Sequence, residues 1–200
     1  MPAYEIGRLL RAGTTGFVAG CGVSQFEMPS FGALVRAPVN TEYAVYGLIY
    51  DIHIDDDGLV KQLVTANNVS EEVIKDNRQN RIVPVEMSVI SIGYEKAGII
   101  YHFLPPYPPF SLDKIFLCED QEIERFSDAG NLGYFRHILR AQDFPAGELL
   151  AAHLQQTSLA HDHNHDGDAW LEAATKELII LLRDDYPVLM SVLGALKDIT

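Results

Sequence analysis

Two kinds of hydrophobic spacing divide this chain. Up to about residue 120, apolar and polar residues alternate in short runs that end at glycine, proline or acidic residues, which is typical of β-strands bounded by turns. Beyond about residue 128, apolar residues recur every three or four positions, as on one face of an α-helix. The alternating runs predict strands within residues 4–10, 17–23, 29–38, 43–58, 83–94, 98–104 and 115–118.

The longest of these runs is Tyr43–Gly58, Y-A-V-Y-G-L-I-Y-D-I-H-I-D-D-D-G. Alternation divides its side chains into two faces. One face carries Val45, Gly47, Ile49 and Asp51. The other carries Tyr46, Leu48, Tyr50, Ile52 and Ile54 and is the stronger candidate for the core, because its apolar side chains are larger and more numerous.

Glycines punctuate the first strands, with Gly13 and Gly16 in a predicted turn. Glycines inside strands often mark the bulges and corners at which a closed sheet bends, so the pattern favours a barrel. Between two strands, residues 58–80 predict a helical insertion, with Ser70 as the N-cap of its second helix.

The C-terminal part carries four amphipathic stripes. They predict helices over 132–141 and 147–159, a third through Trp170 and Leu178 with Asp168 as its cap, and a last helix with Pro187 in its first turn. The predicted fold class is therefore α+β, with a β-barrel domain at 1–126 and an α-helical subdomain at 127–200.

Composition narrows the class of protein. A chain of 200 residues with 48% hydrophobic content can form a substantial core. No window reaches the roughly 18 apolar residues of a membrane helix and the N-terminus lacks a secretory apolar core, so a cytoplasmic location is expected.

The net charge of −13 disfavours direct binding to nucleic acid or to a membrane surface. Cys21 and Cys118 are too few for a disulfide framework and are expected to be buried thiols.

The chain contains no complete catalytic motif, so no catalytic residue is predicted. The G-T-T-G sequence at 13–16 lacks the lysine of a phosphate-binding loop. The acidic run before Gly58 resembles a calcium loop, but Val64 falls where such a loop needs a glutamate. No nucleotide cofactor is predicted.

Two sets of side chains suggest metal binding. Asp51, His53 and Asp55 share a strand face and could hold a divalent metal for phosphodiester cleavage, although acidic residues at a strand end are more often simply solvated. His161, His163 and His165 alternate in an acidic tract and could share zinc or nickel, or the tract could only join two helices. His137 and His153 lie beside apolar residues and are expected to be hydrogen-bonded, partly buried residues.

The proline-rich segment P-P-Y-P-P at 105–109 enforces extended backbone. We interpret it as a rigid crossing between strands, because short strands flank it on both sides. The alternative is a ligand for the aromatic groove of another protein.

Several of these segments together resemble the HAS barrel, the barrel of HerA-like ATPases and ATP synthases. The resemblance covers about residues 4–120, through I-G-R-L-L, F-V-A-G-C, P-S-F-G-A-L-V-R-A, V-Y-G-L-I-Y-D-I, V-P-V-E-M-S-V-I-S-I-G-Y, L-P-P-Y-P-P and I-F-L-C. It implies a closed barrel of about six strands that organises subunits or docks partners. The chain, with L-R-D-D-Y-P near its end, is also similar to uncharacterised stand-alone barrel proteins of cyanobacteria.

In HerA-like proteins the nucleotide chemistry belongs to a motor domain that follows the barrel, and here a short helical region takes its place. No ATPase residue is therefore carried over. The predicted function is a non-enzymatic oligomerisation or partner-docking module, with a HerA-like or ring ATPase, or a second copy, as partner. The alternatives are a metal-dependent phosphodiesterase or nuclease using Asp51, His53 and Asp55, and a purely structural subunit.

Overall fold

The computed structural model describes residues 4–23, 29–54, 65, 71, 83–141, 144–162 and 166–197. The predicted insertion at 58–80 lies almost wholly outside these residues. The strands are β1 Tyr4–Ala12, β2 Gly16–Val23, β3 Leu34–Pro38, β4 Tyr43–Ile54, β5 Val83–Lys96, β6 Ile99–Tyr101 and β7 Lys114–Leu117. The described helices of the C-terminal part are α1 Asp120–Asp128, a 3₁₀ turn Ala129–Leu132, α2 Phe135–Leu139, α3 Ala146–His161, α4 Gly167–Leu181 and α5 Tyr186–Lys197.

Six of the strands close into an antiparallel barrel, as predicted. The order is β1-β7-β3-β4-β5-β2, and β2 returns to pair with β1. The pairing of β2 with β5, from Gly16 opposite Ile90 to Val23 opposite Val83, completes the ring. The short β6 forms a hairpin with the end of β5 outside this ring.

Side chains alternate between the barrel interior and its outer wall. One face of β5 lies inside the barrel, where Val85, Met87 and Val89 are buried. Residues of the other strands complete this interior core: Ile6, Leu9, Phe17, Ala19, Val35, Ala37, Val45, Ile49 and Ile115.

Strand β4 is buried on both faces, whereas the sequence predicted one core face. Tyr46 and Leu48 are buried as predicted, but they lie on the outer wall and pack against the helices. Val45 and Ile49, on the opposite face, fill the barrel interior. The register of β4 against β5 shifts between Ile49 and Asp51, and this shift interrupts the simple alternation beyond residue 49. Ile54 is exposed.

The helices pack on the outer wall of the barrel and share one core with it. Tyr46, Leu48 and Ile90 of the barrel belong to the same buried cluster as Phe126 and Leu150 of the helices. Helix α1 crosses the predicted boundary at residue 126, and the division into 1–126 and 127–200 stays a prediction. Among the described residues, none of the helices has both the length and the apolar character needed to span a bilayer.

Two details of the helices differ from expectation. The helical part starts at Asp120, earlier than the change of pattern near residue 128, because Glu122 can accept a hydrogen bond from the Glu119 amide at 3.3 Å and satisfy the helix start. The prediction of Asp168 as the cap of α4 is wrong: Asp166 occupies the N-cap position and Asp168 lies in the first turn. Pro187 lies in the first turn of α5, as predicted.

Candidate functional site

A proline-rich segment joins β6 to β7 and exposes a row of apolar side chains. We call residues 103–112, F-L-P-P-Y-P-P-F-S-L, the strap. It contains neither helix nor strand and connects two strands, in agreement with its interpretation as a crossing. Its exposed large apolar residues are Phe103 (61%), Leu104 (42%), Tyr107 (49%), Phe110 (62%) and Leu112 (70%). Several exposed large apolar side chains within one short segment are typical of interaction sites.

Hydrogen bonds fix the strap to the barrel. The Tyr43 hydroxyl donates to the carbonyl of Tyr107 at 2.9 Å, and the two rings lie 4.9 Å apart. At the far end, the Leu112 amide donates to the Leu9 carbonyl at 2.8 Å and the Leu9 amide donates to the Asp113 carbonyl at 2.9 Å. The exposed side chains are therefore presented from a backbone that is held at several points.

Basic residues of α2 hold the beginning of the strap. The Arg136 guanidinium lies 4.7 Å from the centre of the Phe103 ring and donates to the carbonyl of His102. His137 Nε2 lies 3.2 Å from the same carbonyl. Burial lowers the pKa of both His102 and His137, with the Arg136 charge acting in the same direction, so both rings are neutral at pH 7. The predicted hydrogen bonding of His137 is confirmed, and its role here is structural.

A cleft of about 800 Å³ lies between the outer wall of the barrel and the region of α2. We call it the wall cleft. The barrel contributes Arg11, Tyr50 and Ile90 to its lining, and the helical part contributes His137, Arg140 and Phe144. Leu104 of the strap also reaches it, whereas Phe110 and Leu112 do not line it.

Two of the residues predicted for metal-dependent cleavage, Asp51 and His53, do not line this cleft. Asp51 and His53 are exposed near the end of β4, and Asp55 lies outside the described residues. Across the described ranges, no three acidic, histidine or cysteine side chains are grouped as a metal site would require. The phosphodiesterase alternative therefore gains no support from the residues that are described.

Of the predicted histidine tract, only His161 falls within the described residues; His163 and His165 lie outside them. His161 is buried at 5% exposure and its ring stacks on Trp170, with ring centres 5.1 Å apart. A shared zinc or nickel site in this tract stays a prediction.

Ser127, His161 and Asp128 come together in space but do not form a catalytic triad. Ser127 Oγ donates to the Glu124 carbonyl at 3.1 Å and lies 2.9 Å from His161 Nε2. Since the hydroxyl has one proton, it has none left for Nε2 while it donates to this carbonyl. Asp128 also approaches Nε2, at 3.7 Å, whereas a triad carboxylate binds the other ring nitrogen. The group links α1 to α3.

An Arg–Glu–Tyr network ties α1 to the barrel wall. Arg125 donates to both carboxylate oxygens of Glu95, at 3.1 and 2.7 Å, and Tyr46 donates to Glu95 at 3.0 Å. Burial alone would raise the pKa of Glu95, but the hydrogen bonds from Arg125 and Tyr46 lower it overall. Burial raises the pKa of the Tyr46 hydroxyl. No signal in the sequence pairs these residues, because 30 or more positions separate Arg125 from both partners.

The remaining polar core residues are structural. His153 is 1% exposed and shares a hydrogen bond with the Tyr134 hydroxyl at 3.0 Å, which confirms its expected hydrogen bonding. Cys118 is buried and Cys21 is half-buried; both are free thiols, and burial raises the pKa of each. Neither is poised as a nucleophile, because a reactive cysteine needs a lowered pKa.

No protein-family model matches this sequence, and no curated protein matches it significantly. The resemblance to the HAS barrel and to cyanobacterial stand-alone barrels therefore stays an expectation from the sequence.

Proposed function

We propose that the protein is a non-enzymatic cytoplasmic module that docks a protein partner through the strap. The observation that carries this proposal is the row of five large apolar side chains on a backbone fixed by prolines and by hydrogen bonds to β1 and β4. Water-exposed aromatic side chains that cost little further entropy to order are the usual anchors of a protein interface.

The charge of the protein favours a protein partner over other macromolecules. A formal net charge of −13 opposes phosphate backbones and anionic lipid at long range. The strap itself carries no charged side chain, and its aromatic and aliphatic residues suit the apolar centre of a protein interface.

A HerA-like or related ring ATPase is the partner that we propose. The support is the closed six-stranded barrel, which is the architecture implied by the resemblance to the HAS barrel. In that family the barrel organises neighbouring subunits and docks partners. A second copy of this chain is the other occupant that the same surface could receive.

Affinity capture with mass spectrometry tests the proposal. Wild-type protein is expected to recover a ring ATPase, and the double variant Phe110→Ser, Leu112→Asn is expected to lose it. Asn suits position 112 because the backbone there has a φ of +70°. The matched control is Ile179→Ser, Ile180→Ser, which removes two exposed apolar side chains from α4 and should leave capture unchanged.

Light scattering of the same proteins separates the two occupants. If the strap binds a second copy, wild type is a dimer or larger and the strap variant is a monomer. A monomeric wild type that captures no ATPase, or capture that is equal in wild type and strap variant, would overturn the proposal.

A further inference from the structure

The described residues that line the wall cleft have a net charge opposite to that of the whole protein. The formal net charge is −13, yet no aspartate or glutamate is among the described residues that line the cleft, and two arginines are. Among the described residues, one carboxylate lies near Arg11: Glu86 at 3.7 Å, in an exposed pair of little energetic weight. Within the described part of the chain, Arg140 has no carboxylate partner at all.

Part of the remaining lining is flat and apolar. The rings of Tyr50 and Phe144 stack with their centres 4.7 Å apart and an interplanar angle of 26°. Ile90 and Leu104 add aliphatic surface beside them. Ser91, in the same wall, is fully buried and its hydroxyl has no hydrogen-bond partner among the described residues.

We propose that the wall cleft binds a small organic anion with a flat, apolar body. Its acidic group would pair with Arg11 and Arg140, because guanidinium groups recognise carboxylate, sulfonate and phosphate oxygens. Its body would lie against Tyr50, Phe144 and Ile90. A cleft of about 800 Å³ is within the range of small-molecule sites, which are mostly apolar with a few convergent polar groups.

Leu104 belongs to both the cleft and the strap, but the residues replaced in the two tests are different. Phe110 and Leu112, whose replacement tests docking, do not line the cleft, and Arg11 and Arg140 are not part of the strap. Failure of either proposal can therefore be recognised independently of the other.

Titration of ¹⁵N-labelled full-length protein with 2-naphthoate tests the proposal. A small aromatic acid at modest ligand efficiency reaches a Kd of about 1 mM, so titration to roughly 5 mM covers the range. Saturable amide shifts are expected at residues 13–18, 89–91 and 137–141. 2-Naphthamide has the same shape without the charge and should bind about tenfold more weakly.

Arginine variants test which side chains bind the carboxylate of 2-naphthoate. Arg140→Gln and Arg11→Gln should each weaken 2-naphthoate binding by about fivefold to tenfold. Arg183→Gln, an exposed residue beside Asp184 and away from the cleft, should leave it unchanged. Absence of saturable shifts, shifts at other positions, equal binding of acid and amide, or unchanged affinity in both cleft variants would overturn the proposal.

Discussion

The Tyr43 hydroxyl donates a hydrogen bond to the Tyr107 carbonyl at 2.9 Å and fixes the middle of the strap to the start of β4. Tyr43 is 4% exposed, and its ring contacts both Tyr107 and Tyr94. Burial raises the pKa of its hydroxyl to about 12, so it remains a donor throughout the physiological range. The strap can thus expose apolar side chains without a loose backbone.

Tyr43→Phe should loosen the strap without unfolding the barrel, because it removes one hydrogen bond and keeps the ring. We expect the opening free energy of the strap to fall by about 1 kcal/mol, which would make amide hydrogen exchange about fivefold faster at residues 107 and 110–113. Tyr101→Phe is the control, since the Tyr101 ring stacks on Tyr94 and its hydroxyl has no hydrogen bond within the described ranges. Equal acceleration in both variants would mean that the hydrogen bond does not hold the strap.

The Arg125–Glu95 pair should make stability depend on pH in the acid range. The pKa of Glu95 is lower in the folded than in the unfolded protein, so its contribution is complete above the unfolded pKa and is lost as pH falls through the folded pKa. Glu95→Gln should cost about 1 kcal/mol at pH 7, a modest value because the Arg125 side chain is 47% exposed.

Urea unfolding at pH 7 and near pH 3 measures this effect. The difference between wild type and Glu95→Gln should be smaller at the lower pH, because protonation of the carboxylate removes the charge that Gln lacks. A difference that stays constant would show that the charge of Glu95 is not what stabilises the contact.

Much of the barrel could be predicted from the sequence because alternation records which side chains face the interior. Val85, Met87 and Val89 show this directly, since one face of β5 lies inside the barrel. The same rule was insufficient for β4, whose outer face is buried by helices that lie more than 70 positions later in the chain. The spacing of apolar residues within β4 carries no information about helices so far along the chain that pack against it.

The candidate sites were less predictable than the fold. The proline-rich segment was recognised as a crossing, but exposure of Phe110 and Leu112 depends on how the folded barrel leaves them uncovered. The wall cleft joins Arg11 of β1 with Arg140, which follows α2, and no motif relates them. Conversely, the spacing of Asp51 and His53 on one strand face suggested a metal site. In the structure these two residues lie at an exposed strand end.

Gly32 should be one of the least replaceable residues of the contact between barrel and helices. Its φ is +82°, and a Cβ there would lie 2.8 Å from the Cβ of Ala152 on α3. Gly32→Ala should therefore combine backbone strain with overpacking and destabilise the protein by about 3 kcal/mol.

Gly98→Ala is a matched control that measures the cost of backbone strain without overpacking. Gly98 has a φ of +80°, but no atom lies within 4 Å of an added Cβ. We expect a cost of about 1 kcal/mol there, measured by urea unfolding as for Gly32→Ala. Equal losses in the two variants would show that α3 does not pack closely against Gly32.

His153 should make the protein less stable as pH falls below neutral. Burial lowers its pKa to about 4, while a backbone hydrogen bond to Gly32 acts in the opposite direction. The unfolded chain therefore binds a proton near pH 6.5 that the folded protein excludes until about pH 4, and stability should fall by about 2 kcal/mol from pH 7 to pH 5. In His153→Gln, which keeps an acceptor for the Tyr134 hydroxyl, this part of the loss should disappear. Urea unfolding at both pH values measures it, and an identical pH dependence in the two proteins would show that His153 can be protonated in the folded state.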